Sequence, residues 1–250
     1  MPLVKKSPAL AKRYAQAARE YCRNLPLEHF MEATSQATQR KITLESLDLV
    51  KSRRPEVWVF NELLIQYERG RGKKLGQVVP DNMMVLSETP IKVEGSFDLV
   101  LQPAGPFLVL EYVSRNNRRK DYLESFGKYE RELKVPYCLF FRPEAQKLDL
   151  YHHDSEKYCL VAPNRHGRLP IPELDLEVGL LNGWVRFWYQ GKLLPLRAEL
   201  QHDLDKVKED LEEARKRADL ERQRAEKAER ELEKLRAQVE ERKKRNGKKP

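Results

Sequence analysis

Two acids and a lysine stand at spacings that suit phosphoester chemistry. Pro80-Asp81 precedes the apolar run Met83-Met84-Val85-Leu86, and thirty positions after Asp81 a second run, Phe107-Leu108-Val109-Leu110, delivers Glu111. Carboxylates at the ends of neighbouring strands would hold a divalent cation, Mg2+ or Mn2+. Magnesium takes oxygen ligands, needs only one or two protein carboxylates, and keeps water and substrate phosphate for the rest. The backbone carbonyl of Tyr112 offers a third oxygen. An amine from Lys128 would orient the attacking water or neutralise charge on a pentavalent phosphate. Glu111 stands out because a carboxylate directly after an apolar strand is costly to bury without a partner.

Each of these residues also has an ordinary reading. An aspartate behind a proline is commonly a turn or cap residue, and a lysine on a helix is commonly surface charge. Asp98, inside Phe97-Asp98-Leu99-Val100-Leu101, competes as a ligand but reads better as the solvent-facing residue of an edge strand. His152-His153 lie side by side on a strand, so their rings point to opposite faces and do not share an ion easily. Ser114 has no histidine base near it in sequence. Arg115, Arg118, Arg119 and Lys120 form a basic cluster after Glu111, fitted to a phosphate backbone or to a solvated loop. Glu62 is a further candidate acid.

The elements that must carry these groups suggest an α/β domain. Residues 1 to about 50 read as helical, with an amphipathic segment from Ala9 to Cys22 and a short helix from Thr43. Glu56 to Glu68 is expected to be a helix opened by Pro55, with Val57, Phe60, Leu64 and Tyr67 along one face and Glu62 on it. Strands follow, punctuated by Glu88-Thr89-Pro90 and Pro103-Ala104-Gly105-Pro106. Arg119 to Lys134 is a crossover helix. Tyr137-Cys138-Leu139-Phe140-Phe141 is apolar throughout, as a central strand would be. A strand, a helix and another strand imply a right-handed crossover in a mixed sheet. Leu148–Tyr151 and Tyr158–Val161 form a hairpin, and residues 170–197 a flap that closes on the core.

From Leu200 the composition changes. Leu200, Leu204, Val207, Leu211, Ala214, Ala218, Ala225, Ala228, Leu232, Leu235 and Val239 keep alternating spacings of four and three, broken only at Glu221. That heptad pattern predicts a coiled coil and, through it, a homodimer. The tail beyond it, Arg242 to Lys249, is basic. The net charge of +9 favours an anionic partner, nucleic acid above all. Three cysteines without metal-ligand spacing indicate reduced thiols, and no apolar run is long enough to cross a bilayer. A cytoplasmic protein is expected.

The ordered set Pro80-Asp81, Glu111-Tyr112-Val113-Ser114, Asp121 with Lys128 and Tyr129, and Val135-Pro136-Tyr137 resembles the Uma-type restriction endonuclease family of the PD-(D/E)XK nuclease superfamily. The resemblance spans roughly residues 45–195. It implies a restriction-endonuclease-like mixed sheet with flanking helices, magnesium dependence and DNA as substrate. Asp81 and Glu111 would be the metal ligands and Lys128 the catalytic cation. The superfamily pattern wants a lysine two positions after the glutamate, and Val113 stands there; Lys128, or Lys120, looks like a migrated substitute. The expected organisation is an N-terminal helical extension (1–44), the nuclease-like domain (45–197), a coiled coil (198–241) and a basic tail (242–250). The alternative is a catalytically silent nucleic-acid-binding or scaffolding protein that oligomerises through its coil, favoured by the valine at 113.

Overall fold

A computed structural model describes residues 8–25, 34–69, 74–113 and 119–246, the side chains of 119–122 and 242–246 excepted. The chain divides into two units, residues 1–196 and 197–250.

In the first unit, helices α1 (Pro8–Arg23) and α2 (Thr34–Arg53) precede strands β1 (Val57–Asn61), β2 (Ile65–Arg69), β3 (Lys74–Val78), β4 (Asn82–Leu86), β5 (Phe97–Asp98) and β6 (Pro106–Tyr112). Helix α3 (Arg119–Gly127) continues into a π-helical turn, Lys128–Leu133, and leads to β7 (Tyr137–Arg142), β8 (Lys147–His153) and β9 (Tyr158–Leu160). A mixed six-stranded sheet runs in the order β1-β4-β6-β7-β8-β9. Only β6 and β7 are parallel, and α3 with its π turn is the crossover between them. The apolar run of β7 is buried on both faces: Leu139 and Phe141 join one core cluster, Cys138 and Phe140 the other. This is the mixed sheet with flanking helices that the pattern implied.

The segment 56–68 is not a helix. It forms β1 and β2, and Glu62 sits between them at φ 46°. The spacing of Val57, Phe60, Leu64 and Tyr67 imitates a helical face, yet Val57 packs in the first cluster and Tyr67 in the second. The local composition decides: Val57-Trp58-Val59-Phe60 is a run of β-branched and aromatic residues that fits a pleated, half-buried strand. Two other expectations shift. Helix α2 runs through position 44 without a break, and Ile42, Leu47 and Val50 are buried core residues. Residues 169–193 are an ordered four-stranded antiparallel sheet, β10 (Leu169–Ile171), β11 (Leu176–Leu181), β12 (Trp184–Tyr189) and β13 (Lys192–Leu193).

Strands β3, β2 and β5 make a third, small sheet. Asp98 lies there, accepting hydrogen bonds from Ser96 Oγ at 2.7 Å and Gln66 Nε2 at 3.0 Å. It closes an internal polar network and is not the solvent-facing edge residue expected of it. Cys138 is buried and Cys159 exposed; on β9 only Tyr158 faces the core.

The second unit is helix α4 (Arg197–Asn246), 50 residues long and so about 75 Å from end to end. Among the described residues no helix is long and apolar enough to cross a membrane.

Candidate active site

Strand register brings the two acids together. Strands β4 and β6 are antiparallel with Asn82 opposite Leu110, so Asp81 and Glu111, one step further along, face each other. Directly opposed residues share a face of the sheet. Backbone and side chain then interlock. The Tyr112 N–H donates to Asp81 Oδ2 at 2.5 Å, and the Asp81 N–H donates to the Glu111 carboxylate.

On the other side, β1 pairs with β4 through Asn61 and Asn82. The Glu62 N–H reaches the Asp81 carbonyl at 3.1 Å. Glu62, Asp81 and Glu111 therefore stand in a row across the ends of three adjacent strands. The positive φ at Glu62 turns its side chain to a different partner, the Arg40 guanidinium.

Helix α2 covers this row. Gln39 fixes the helix to β12 with both ends of its amide: Nε2 donates to the Val185 carbonyl at 3.2 Å, and the Val185 N–H donates to Oε1 at 2.9 Å. Gln36 and Arg40, four apart and hence on one helical face, extend over the strand ends. Gln36 Nε2 lies 3.5 Å from Asp81 Oδ1, and the Arg40 charge is felt at Asp81.

From the opposite face comes Tyr129. It lies in the π-helical turn, fully buried, and its hydroxyl donates to Glu111 Oε1. A π turn admits one extra residue and commonly marks a functional position.

Electrostatically the row is short of positive charge. Burial first, then the neighbouring Glu62, push the Asp81 carboxyl up to about 6, against the Tyr112 N–H, Arg40 and Gln36, which pull it down. Burial and the facing Asp81 raise Glu111 well above the carboxylate range, although the Tyr129 hydroxyl and the Asp81 N–H oppose them. Tyr129 is itself raised well above its usual value by burial and by Glu111, so it stays protonated and remains a donor.

Residues 16–182 match the profile of the family Uma2, described as "Putative restriction endonuclease". The chain belongs to this family. A crystal structure from Anabaena variabilis ATCC 29413, described as "a putative nuclease belonging to DUF820", aligns with it at 12% identity and a TM-score of 0.44, covering 58% of this chain and 75% of that one. No curated protein matches the chain.

In this Uma2 chain the remaining candidates divide. Lys128 opens the π turn, but its ammonium is 2.8 Å from Glu124 Oε1 on the preceding helical turn. The side chain that the turn delivers to Glu111 is its neighbour Tyr129. Val113, in the position where the superfamily pattern has lysine, is half-buried against the second core cluster and gives its N–H to the Phe141 carbonyl at 2.8 Å. Arg115 and Arg118 lie outside the described residues. Arg119 and Lys120 open α3, where only their backbone is described. His152 stacks on Tyr137 with centroids 4.7 Å apart, while His153 Nε2 bonds the Glu130 carbonyl at 2.8 Å; the two histidines serve separate packing contacts.

Little in the sequence singles out Gln36 and Arg40. Their one signal is the spacing of four on a helix, which is common to any polar helical face. Among the described residues no three acidic, histidine or cysteine side chains converge as a metal cluster. The candidate centre is the pair Asp81 and Glu111.

Proposed function

We propose that the chain hydrolyses DNA phosphodiester bonds at Asp81 and Glu111 with a divalent cation, Mg2+ or Mn2+. The observation that carries this reading is the opposed carboxylate pair, half-buried, with Asp81 raised in pKa by burial and Glu62, and Glu111 by burial and Asp81. Such a donor set, all oxygen and short of positive charge, suits a hard cation that keeps open positions for water and phosphate. When bound, the metal would polarise a phosphoryl oxygen and acidify a water.

The chain's own groups divide the remaining work. Asp81 and Glu111 would hold the cation, each oriented by a backbone N–H of the other's strand. Tyr129 fixes Glu111 in one rotamer. Arg40 offers positive charge to the scissile phosphate, and Glu62, on releasing Arg40, adds a third carboxylate. Lys128, on leaving Glu124, supplies a second cation at the rim. Arg115, Arg118, Arg119 and Lys120 would meet the DNA backbone, and pairing through α4 would let two sites address both strands of a duplex.

Supercoiled plasmid incubated with Mg2+ or Mn2+ tests the reading, beside Asp81→Ala and Glu111→Ala. Nicking that needs metal and vanishes in both variants supports it; nicking that survives either substitution contradicts it. A second reading, a nucleic-acid-binding scaffold that does not cut, is favoured by Val113 and by the pairing of Lys128 with Glu124. Calorimetric titration of Mn2+ separates the two. DNA binding without any Asp81-dependent metal affinity would select the scaffold.

A further inference from the structure

Helix α4 carries more information than an apolar stripe. Leu204, Leu211, Ala218, Ala225, Leu232 and Val239 occupy the a positions of its heptads, and Leu200, Val207, Ala214, Glu221, Ala228 and Leu235 the d positions. The large seam residues are exposed: Leu204 is 49% and Leu235 61% accessible. The charges that flank them identify what covers this seam. We infer that its occupant is a second copy of the same helix, parallel and in register, with the orientation set by the e and g residues.

In a parallel pair each g residue lies beside the e residue five positions further along the partner, and these contacts set partner choice and orientation. Asp203 then meets the partner's Lys208, Asp210 the partner's Arg215, Arg224 the partner's Glu229, and Glu231 the partner's Arg236. All four are opposite in sign. The one like-charged contact, Arg217 with the partner's Arg222, flanks the layer where the heptad pattern carries Glu221 in place of an apolar residue. Two glutamates in the seam are thereby ringed by four arginines. In this register the break in the apolar pattern and the break in the charge pattern coincide and offset each other.

An antiparallel pair brings g against g and e against e. Asp210 would then face the partner's Glu231, Arg215 the partner's Arg222, and Arg217 the partner's Arg224, with Lys208 and the partner's Glu229 as the favourable exception. Sliding a parallel pair by one heptad sets Arg224 against the partner's Arg236 and Glu231 against the partner's Glu229. Within the single helix, Arg217 pairs with Glu213 at 3.2 Å and Arg222 with Glu226 at 3.4 Å. Those exposed pairs are weak and do not compete strongly with contacts across a seam.

Sedimentation equilibrium of the full chain at low ionic strength tests this with Asp210→Arg and Arg215→Glu. Each variant alone places like charges together at two symmetric contacts, and should raise the dimer dissociation constant roughly tenfold. Mixed in equal amounts the two variants restore complementarity at both contacts, so the mixture should dimerise as tightly as the wild type. Asp210→Arg that tightens the dimer would overturn the parallel arrangement, because the new arginine would be relieving the antiparallel clash with Glu231. A dimer indifferent to both substitutions, or a chain that stays monomeric, would overturn the interface itself. None of these readouts depends on nuclease activity.

Discussion

Replacing Asp81 by asparagine should make the metal-free protein more stable at neutral and alkaline pH. In the folded chain its carboxyl titrates at about 6 instead of the ordinary 3.8. Ionising it in place therefore costs the fold about 3 kcal/mol once both states are fully charged. The sign follows from proton uptake. Between those two pKa values the folded state holds a proton that the unfolded chain has released, so stability falls as pH rises through that window and the full cost is present above it. Asparagine removes the charge but turns an N–H toward either the Tyr112 N–H or Gln36, giving up a hydrogen bond of about 1 kcal/mol. The expected gain is about 2 kcal/mol near pH 8, shrinking to nothing or a small loss near pH 4. Urea unfolding in EDTA at both pH values measures it. Excess Mn2+ should reverse the order, because cation binding stabilises the wild type and not the variant. Equal stability of the two chains near pH 8 without metal would refute the reasoning: Asp81 would then carry no electrostatic strain for a cation to relieve.

Three further outcomes are expected. Tyr129→Phe removes the hydroxyl that lowers Glu111; the acid limb of the pH–activity profile should move to higher pH and turnover should fall by roughly tenfold or more, read from plasmid nicking across a pH series. Arg40→Gln leaves Glu62 unpaired beside Asp81; calorimetry should find Mn2+ bound severalfold more tightly, while nicking weakens. At Gly76, opposite Tyr67 in β3 and β2, an added Cβ would stand 2.3 Å from the Tyr67 ring; Gly76→Ala should cost about 1–3 kcal/mol of overpacking strain in a urea melt.

The pair Asp81 and Glu111 was legible because each is attached to a short apolar run, and alternation along strands leaves little freedom in where such a residue points. Their opposition was not legible: it depends on the register of β4 against β6, a long-range fact with no local signature. Glu62 is legible as a residue but its element is not, since a spacing of three and four arises on two strands as readily as on one helix. Strand composition at Val57-Trp58-Val59-Phe60 was the better guide there. Gln36 and Arg40 are not legible for a related reason: α2 is held over the site by Gln39 gripping β12, nearly 150 positions away, and nothing near Gln36 in the sequence records that. In the sequence, charge points to Lys128, whereas the fold delivers the phenol beside it to Glu111.

That substitution of neighbour for neighbour has its origin in the winding of the crossover. Each residue of an α-helix advances about 100° around the axis, and the wide turn at Lys128–Leu133 absorbs one residue more than an α-helical turn would. The turn thus acts as a phase adjuster between the basic start of α3 and the buried end that meets the sheet. Deleting a single residue from 130–133 would let the segment rewind as a regular α-helix without losing its helical hydrogen bonds. The same deletion would swing Tyr129 and Lys128 about the axis relative to the buried end that follows them. In this chain, length at that one point sets the angle at which Tyr129 meets Glu111, and an indel there would reach the acids through the backbone.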